Sequence, residues 1–150
     1  DCIRLFTTRE KVSRDNKWFC PRCKQHREAW KTMEIWKLPP ILIVHFNRFK
    51  RDIDGSWLEK RQTNVHFPNT NLDLSKFILG PNRLLRYNLY GVSNHYGSMQ
   101  SGHYTAFCKN IYDRKWYKFD DSDVTSMSES SVKSSAAYIL FYTSMEFTKP

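Results

Sequence analysis

Between Ala29 and Leu38 bulky side chains alternate with polar ones, the period of a half-buried strand. Pro39-Pro40 ends that strand, because proline has no amide to give to a ladder. Ile41 to Phe49 is nearly continuous in apolar residues, which predicts a second strand at the centre of the sheet. Asp54-Gly55 is tight-turn chemistry, so the residues from Trp57 to Arg61 are expected to run back as the second arm of a hairpin. Asn64 to Pro68 predicts a short strand closed by proline, and Leu72 to Phe77 a turn of helix before Gly80-Pro81-Asn82.

The later half is more regular. From Leu84 to Tyr96, Leu85, Tyr87, Leu89 and Gly91 fall on one face, with Leu84, Arg86, Asn88, Tyr90 and Val92 on the other. Such a strand is covered on both sides. A loop of small and polar residues, Gly97 to Gly102, precedes two further strands, His103 to Lys109 and Lys115 to Phe119, joined by a turn at Tyr112-Asp113-Arg114. Asp123 to Ser128 leads to a short helix over Glu129 to Lys133 with Ser128 as its N-cap. Ala136 to Tyr142 is a last strand. At least six strands against a few short helices describe an α+β chain, mainly antiparallel sheet, without internal repeats.

Composition bounds what such a sheet is for. At 150 residues, 40% hydrophobic and 15% aromatic, the chain has the material for one domain's core. No apolar run is long enough to span a membrane. Its first residues, Asp1-Cys2-Ile3-Arg4, lack both an initiator methionine and a signal-peptide layout, so it reads as a piece of a longer protein. The net charge of +9 is concentrated before residue 62, but the basic residues stand singly among hydrophobic ones. Nucleic-acid binding is therefore not expected, since it needs them gathered on one element or face. Four cysteines, Cys2, Cys20, Cys23 and Cys108, would permit two disulfides, but the CxxC and the lack of a signal-peptide layout point to a reducing, cytosolic compartment. Endosome association and a nuclear location are further expectations, which the cysteines do not address.

Two clusters carry chemistry. His103 follows a glycine loop, and 17 residues later Asp120-Asp121 closes the next strand. Imidazole titrates near neutrality, at about 6.5, and a carboxylate on Nδ1 would fix its tautomer, so His103 and Asp120 suit a base and its orienting acid. Trp116 and Phe119 would exclude water from the pair, and Asp121 would point to the opposite side. The bland alternative is a strand histidine and two aspartates that cap a turn. His26, His45, His66 and His95 lack the setting of His103 and read as ordinary histidines. The second cluster is Cys20-x-x-Cys23, whose spacing supplies two thiolates to a tetrahedral zinc. His26 is the only near nitrogen donor, and no second CxxC exists, so this is half a structural site, with a redox pair or loose thiols as alternatives.

Gly102-His103-Tyr104-Thr105-Ala106 together with Trp116-Tyr117-Lys118-Phe119-Asp120-Asp121 resembles the histidine box of the ubiquitin-specific proteases. Leu38 to Phe49 is similar to that family's LPxILxxHLxRF segment, Phe67-Pro68 to its FP, and Ala137 to Tyr142 to its closing strand. The resemblance covers essentially the whole chain in family order. It implies a papain-like cysteine protease fold, of which residues 1–150 are the C-terminal part: roughly 13–62 in the fingers and palm strands, 63–150 in the palm with the histidine box. It further implies cleavage after the C-terminal glycine of ubiquitin, with ubiquitin and ubiquitinated proteins as partners. His103 would be the general base, Asp120 its partner and Asp121 a secondary acid. Gly97, Ser98 and Gly102 would belong to a blocking loop over the ubiquitin tail, Tyr104 would line its channel, and Cys20 and Cys23 would be half of a zinc ribbon. One departure is large. The family's nucleophile box has no match here, and neither Cys2 nor Cys108 replaces it, so the chain alone is expected to be inactive until joined to the N-terminal part of the domain. The alternative is an inactive ubiquitin-binding module that keeps the fold.

Overall fold

The computed structural model describes residues 2–51, 57–81 and 85–146. In chain order these form α1 (Cys2–Thr7), β1 (Glu10–Val12), β2 (Trp18–Cys20), β3 (Gln25–Arg27), β4 (Ala29–Lys31), β5 (Ile41–His45), β6 (Phe49–Arg51), β7 (Trp57–Lys60), β8 (Leu72–Asp73), β9 (Arg86–Gly97), β10 (Gly102–Lys109), β11 (Trp116–Asp120), β12 (Asp123–Met127) and β13 (Ala137–Ser144). Single 3₁₀ turns cover Arg14–Asn16, Ser75–Phe77 and Glu129–Val132. The chain divides into two compact units, residues 1–38 with 74–84 and residues 39–73 with 85–150.

The second unit is one antiparallel sheet in the order β12-β11-β10-β9-β13-β5, with β8 paired to the start of β9. Twelve-residue β9 is its organising strand. Tyr87, Leu89 and Val92 of β9 are buried, as are Leu140 and Tyr142 of β13 beside it. Full burial of such side chains stabilises by about 1.5–3 kcal/mol each. The hydroxyls of this core find carbonyls at its rim: Tyr87 donates to Pro39 O and Tyr142 to Pro68 O. Between β9 and β13 the register slips twice. Tyr142 faces Leu89 but Phe141 faces Gly91, and Ile139 faces Ser93 but Ala137 faces Asn94. Tyr90 and Tyr138 are thus each an extra residue, one on either strand, and the second bulge cancels the first.

Three expectations change. The apolar run from Ile41 is a strand only to His45, and it lies at the sheet's edge rather than its centre. Its hydrophobicity is not matched by coverage, since Ile43 is 58% exposed. Past His45 the chain bends to the hairpin of β6 and β7, whose Asp54-Gly55 turn lies outside the described residues. Residues 61–68 form no strand. The buried guanidinium of Arg48 ties this segment instead, donating to the carbonyls of Arg61 and Thr63 and, from Nε, to Ala137 O. Finally, Asp123–Met127 is a strand that its polar sequence conceals; all five residues pair with β11. Ser128 stands at the N-cap position of a 3₁₀ turn, but its hydroxyl meets those of Ser130 and Ser131 and caps no amide.

The first unit is built from short pieces. β1 pairs with β4 and β2 with β3, three residues each. The alternation after Lys31 does not extend β4, whose ladder with β1 ends at the Glu10–Lys31 pair. Ile35 forms a single bridge to Ile78, and Gly80 donates to Trp36 O. A Cβ at Gly80 would lie 2.2 Å from that same oxygen, which reserves the position for glycine. No helix among the described residues is long and apolar enough to cross a membrane.

Candidate active site

The β10–β11 ladder pairs Ala106 with Phe119 and Phe107 with Lys118. Continued by one step, this register sets Thr105 opposite Asp120. Strand alternation then puts His103 and Thr105 on the same face as Lys118 and Asp120. The imidazole reaches diagonally across that face. His103 Nε2 lies 2.6 Å from Asp120 Oδ1, and Lys118 Nζ lies 2.7 Å from the other oxygen, Oδ2. An ionised carboxylate only accepts, so the proton of the neutral ring sits on Nε2 and Nδ1 is the basic nitrogen. This reverses the expected use of the ring: Asp120 holds Nε2, and Nδ1 makes no hydrogen bond to a described residue.

Water is less excluded than expected. Trp116 is buried, but Phe119 is 40% exposed and points to the other face of β11, while the side chains of His103 and Asp120 are 48% and 33% exposed. The pair is held by charge and geometry. The hydrogen bond donated to Asp120, with the charges of Asp120 and Asp121, raises the His103 pKa against partial desolvation and the opposing charge of Lys118. Asp120 is lowered, first by Lys118 and then by His103.

Asp121 does not face away. It occupies the turn between β11 and β12, where Asp120 pairs with Asp123, and adopts φ 51. That left-handed conformation, which aspartate tolerates better than most residues, turns its carboxylate back toward the site. A ring nitrogen of His103 and one carboxylate oxygen each of Asp120 and Asp121 all lie within 4.8 Å of one another. Alternation along β11 could not reveal this, because alternation stops where the strand does.

Gly97 and Gly102 face each other at the end of the β9–β10 ladder and close a four-residue loop in which Ser98 N–H donates to Ser101 O. Gly97 has φ 86. A Cβ on Gly102 would come within 2.2 Å of His95 Nε2. His95 is itself buried, its ring 4.7 Å from that of Tyr104 and its carbonyl accepting from Lys60. The space that Gly102 leaves is thus filled by a histidine, a packing role that its position in the sequence does not signal. Gly97 and Ser98 line an open cleft of about 400 Å³ together with Phe49, Lys60, Gln62 and Met99. Tyr104 is exposed beside His95.

In the first unit Cys20 ends β2 and Cys23 lies in the turn to β3. The Cys23 amide donates to Cys20 Sγ at 3.4 Å, and that bond is the main reason the Cys20 pKa is lowered. An amide aimed at sulfur suits a thiolate ligand, so the two cysteines fit one half of a metal knuckle. His26 does not join them: its Nδ1 lies 3.2 Å from Lys17 O, and no group of three potential ligands forms around Cys20 and Cys23 among the described residues. All four cysteines are free thiols.

The family model for ubiquitin carboxyl-terminal hydrolase matches residues 5–142. The chain belongs to this family. It is 52% identical over 143 residues to ubiquitin carboxyl-terminal hydrolase 15 of Rattus norvegicus, covering 95% of this chain and 15% of that protein. It is 48% identical over 143 residues to ubiquitin carboxyl-terminal hydrolase 10 of Arabidopsis thaliana, covering 94% and 15%. Among solved structures, the Ubp8-Sgf11-Sgf73-Sus1 SAGA DUB module superposes with a TM-score of 0.75 at 34% identity, over 95% of this chain and 30% of that one. The SAGA Ubp8/Sgf11/Sus1/Sgf73 DUB module bound to ubiquitin aldehyde gives 0.75 at 32%, over 95% and 32%. The chain therefore spans about 15% of the length of these curated relatives and about a third of the solved chains. The expected α+β, papain-like architecture, mainly antiparallel sheet with few short helices, is that of these hydrolase-family neighbours.

Proposed function

We propose that this chain is the base-and-acid portion of a deubiquitinating thiol hydrolase, which cleaves peptide or isopeptide bonds after the C-terminal glycine of ubiquitin once a cysteine-bearing segment is joined to it. The observation that carries this reading is the orientation of His103: Asp120 engages Nε2 at 2.6 Å and leaves Nδ1 as the base. Nδ1 takes the thiol proton, giving a thiolate and an imidazolium. The raised His103 pKa favours that ion pair. The thiolate attacks the carbonyl carbon, the imidazolium returns the proton to the leaving amine, and a water activated by the same nitrogen hydrolyses the thioester. Asp120 orients the ring, and Asp121 adds negative charge near the imidazolium.

Gly97, Ser98 and Gly102 form the loop over the ubiquitin tail in this reading, and Tyr104 lines its channel. The cleft bordered by Gly97 and Ser98 supports that assignment. Cys20 and Cys23 would hold one side of a structural zinc, two further ligands coming from outside these residues; the metal would staple the β2–β3 turn and take no part in the reaction. Family membership and a neighbour bound to ubiquitin aldehyde support ubiquitin and ubiquitinated proteins as partners.

The test is hydrolysis of a fluorogenic amide at the C-terminus of ubiquitin, by the 150-residue chain alone and by the complete protein. Turnover is expected only from the complete protein. Activity from the isolated chain would refute the missing nucleophile, and ubiquitin binding without turnover by the complete protein would select the inactive binding module instead.

A further inference from the structure

Asp120 does not belong to His103 alone. Its Oδ1 accepts from the imidazole at 2.6 Å and its Oδ2 from Lys118 at 2.7 Å, so both oxygens of one carboxylate are committed to two different donors on the same sheet face. We infer that Lys118 is a positioning residue of the site, which fixes the rotation of the Asp120 carboxylate and limits how strongly that carboxylate draws a proton onto His103. The inference rests on the reading of His103 and Asp120 as base and orienting acid.

Three observations support it. Lys118 stands two residues before Asp120 on β11, so strand alternation, rather than a flexible loop, brings the ammonium to Oδ2. Across the ladder Lys118 faces Phe107, a buried residue of β10 that offers no competing charge. And the influence is mutual: Lys118 is the foremost cause of the lowered Asp120 pKa, ahead of His103, while Asp120 is the foremost cause of the raised Lys118 pKa.

A carboxylate with one cationic partner can rotate and offer either oxygen, or hydrate. With two partners it has one orientation, and Oδ1 stays on Nε2. The same ammonium opposes protonation of His103. Among the described residues, the charged and titratable groups around the imidazole are Asp120 and Lys118 from β11, Asp121 from the β11–β12 turn, and Tyr96, its cross-strand partner on β9. Removing Lys118 leaves two carboxylates facing the ring with no cation to balance them.

An exposed ion pair contributes little to stability, so a folded variant can be examined directly. In the complete protein, Lys118→Met is expected to move the titration midpoint of His103 upward, followed by NMR of the labelled ring with His103→Gln as the assignment control. Turnover of the ubiquitin amide should fall about tenfold, as for loss of orientation, with KM within about twofold. Lys118→Arg should restore the midpoint. A merely structural lysine would leave the midpoint in place, so an unchanged or lowered midpoint in a folded Lys118→Met protein overturns the inference. If the midpoint rises but the parent protein turns over no substrate, the coupling stands and it is the catalytic reading that fails.

Discussion

Two hairpins in this chain each present a pair of reactive side chains, and they differ in how much of the site the protein builds for itself. The β10–β11 hairpin has strands of eight and five residues, flanked by β9 and β12 and anchored on buried Thr105, Phe107 and Trp116. Its pair, His103 and Asp120, meets at 2.6 Å. The β2–β3 hairpin has strands of three residues and, among the described residues, no further strand beside it. No described residue before Leu38 is buried. Its pair, Cys20 and Cys23, shares one amide-to-sulfur bond. A long ladder fixes side chains before any ligand arrives, whereas a short knuckle without buried side chains would need a metal to become rigid.

The sharpest way to break that contrast is at the proposed base. His103→Ala in the complete protein is expected to lower turnover by at least about 10³-fold, the scale of a lost base, while ubiquitin binding measured by calorimetry survives. Loss of binding as well would mean that the histidine is structural. In the sheet beneath it, Leu140→Ala should destabilise the chain by about 2–5 kcal/mol in denaturant unfolding, because it empties a site that is 1% exposed. Asp120→Ala should slow turnover by roughly 10²-fold, with Asp121 covering part of the loss, so that a further Asp121→Asn deepens the defect.

A pH series then separates charge from geometry. The His103 pKa is raised, so its ion pair stabilises the fold fully below the unfolded value and the contribution is lost as pH rises through the raised value. Asp120 is lowered, so its contribution holds above the unfolded carboxylate value and is lost as pH falls through the lowered one. The difference in unfolding between the parent chain and His103→Gln should therefore be flat at mildly acidic pH and vanish at alkaline pH. The smallest effect belongs to the other hairpin. Metal analysis of the isolated chain should find less than one tightly held zinc, and Cys20→Ser should leave the unfolding midpoint almost unchanged; a firmly bound ion would show that the knuckle is complete.

The same contrast governs what could be read from the sequence. The strands around β9, β10, β11 and β13 were legible because their alternation agrees with a ladder on both sides, and His103 with Asp120 was legible because it sits on them. Ile41 to Val44 misled, since a run of apolar residues implies two covered faces whereas Ile43 is open among the described residues. Polar β12 was missed for the converse reason: it pairs without burying. The ring nitrogen that Asp120 takes, the turn of Asp121 toward the site and the ammonium on Oδ2 depend on side-chain angles and a positive φ, which periodicity does not encode. Lys118 alone had a signal, its spacing of two from Asp120.

The opposed bulges at Tyr90 and Tyr138 bear on how such a sheet can change over generations. Deleting either residue alone would remove its bulge and leave every cross-strand pair between β9 and β13 in place, with each core side chain on its own face. Losing both would leave one unbroken ladder. Either tyrosine position is thus expected to be lost singly without disturbing the pairing, whereas a deletion at a paired position of these strands carries the residues beyond it out of phase.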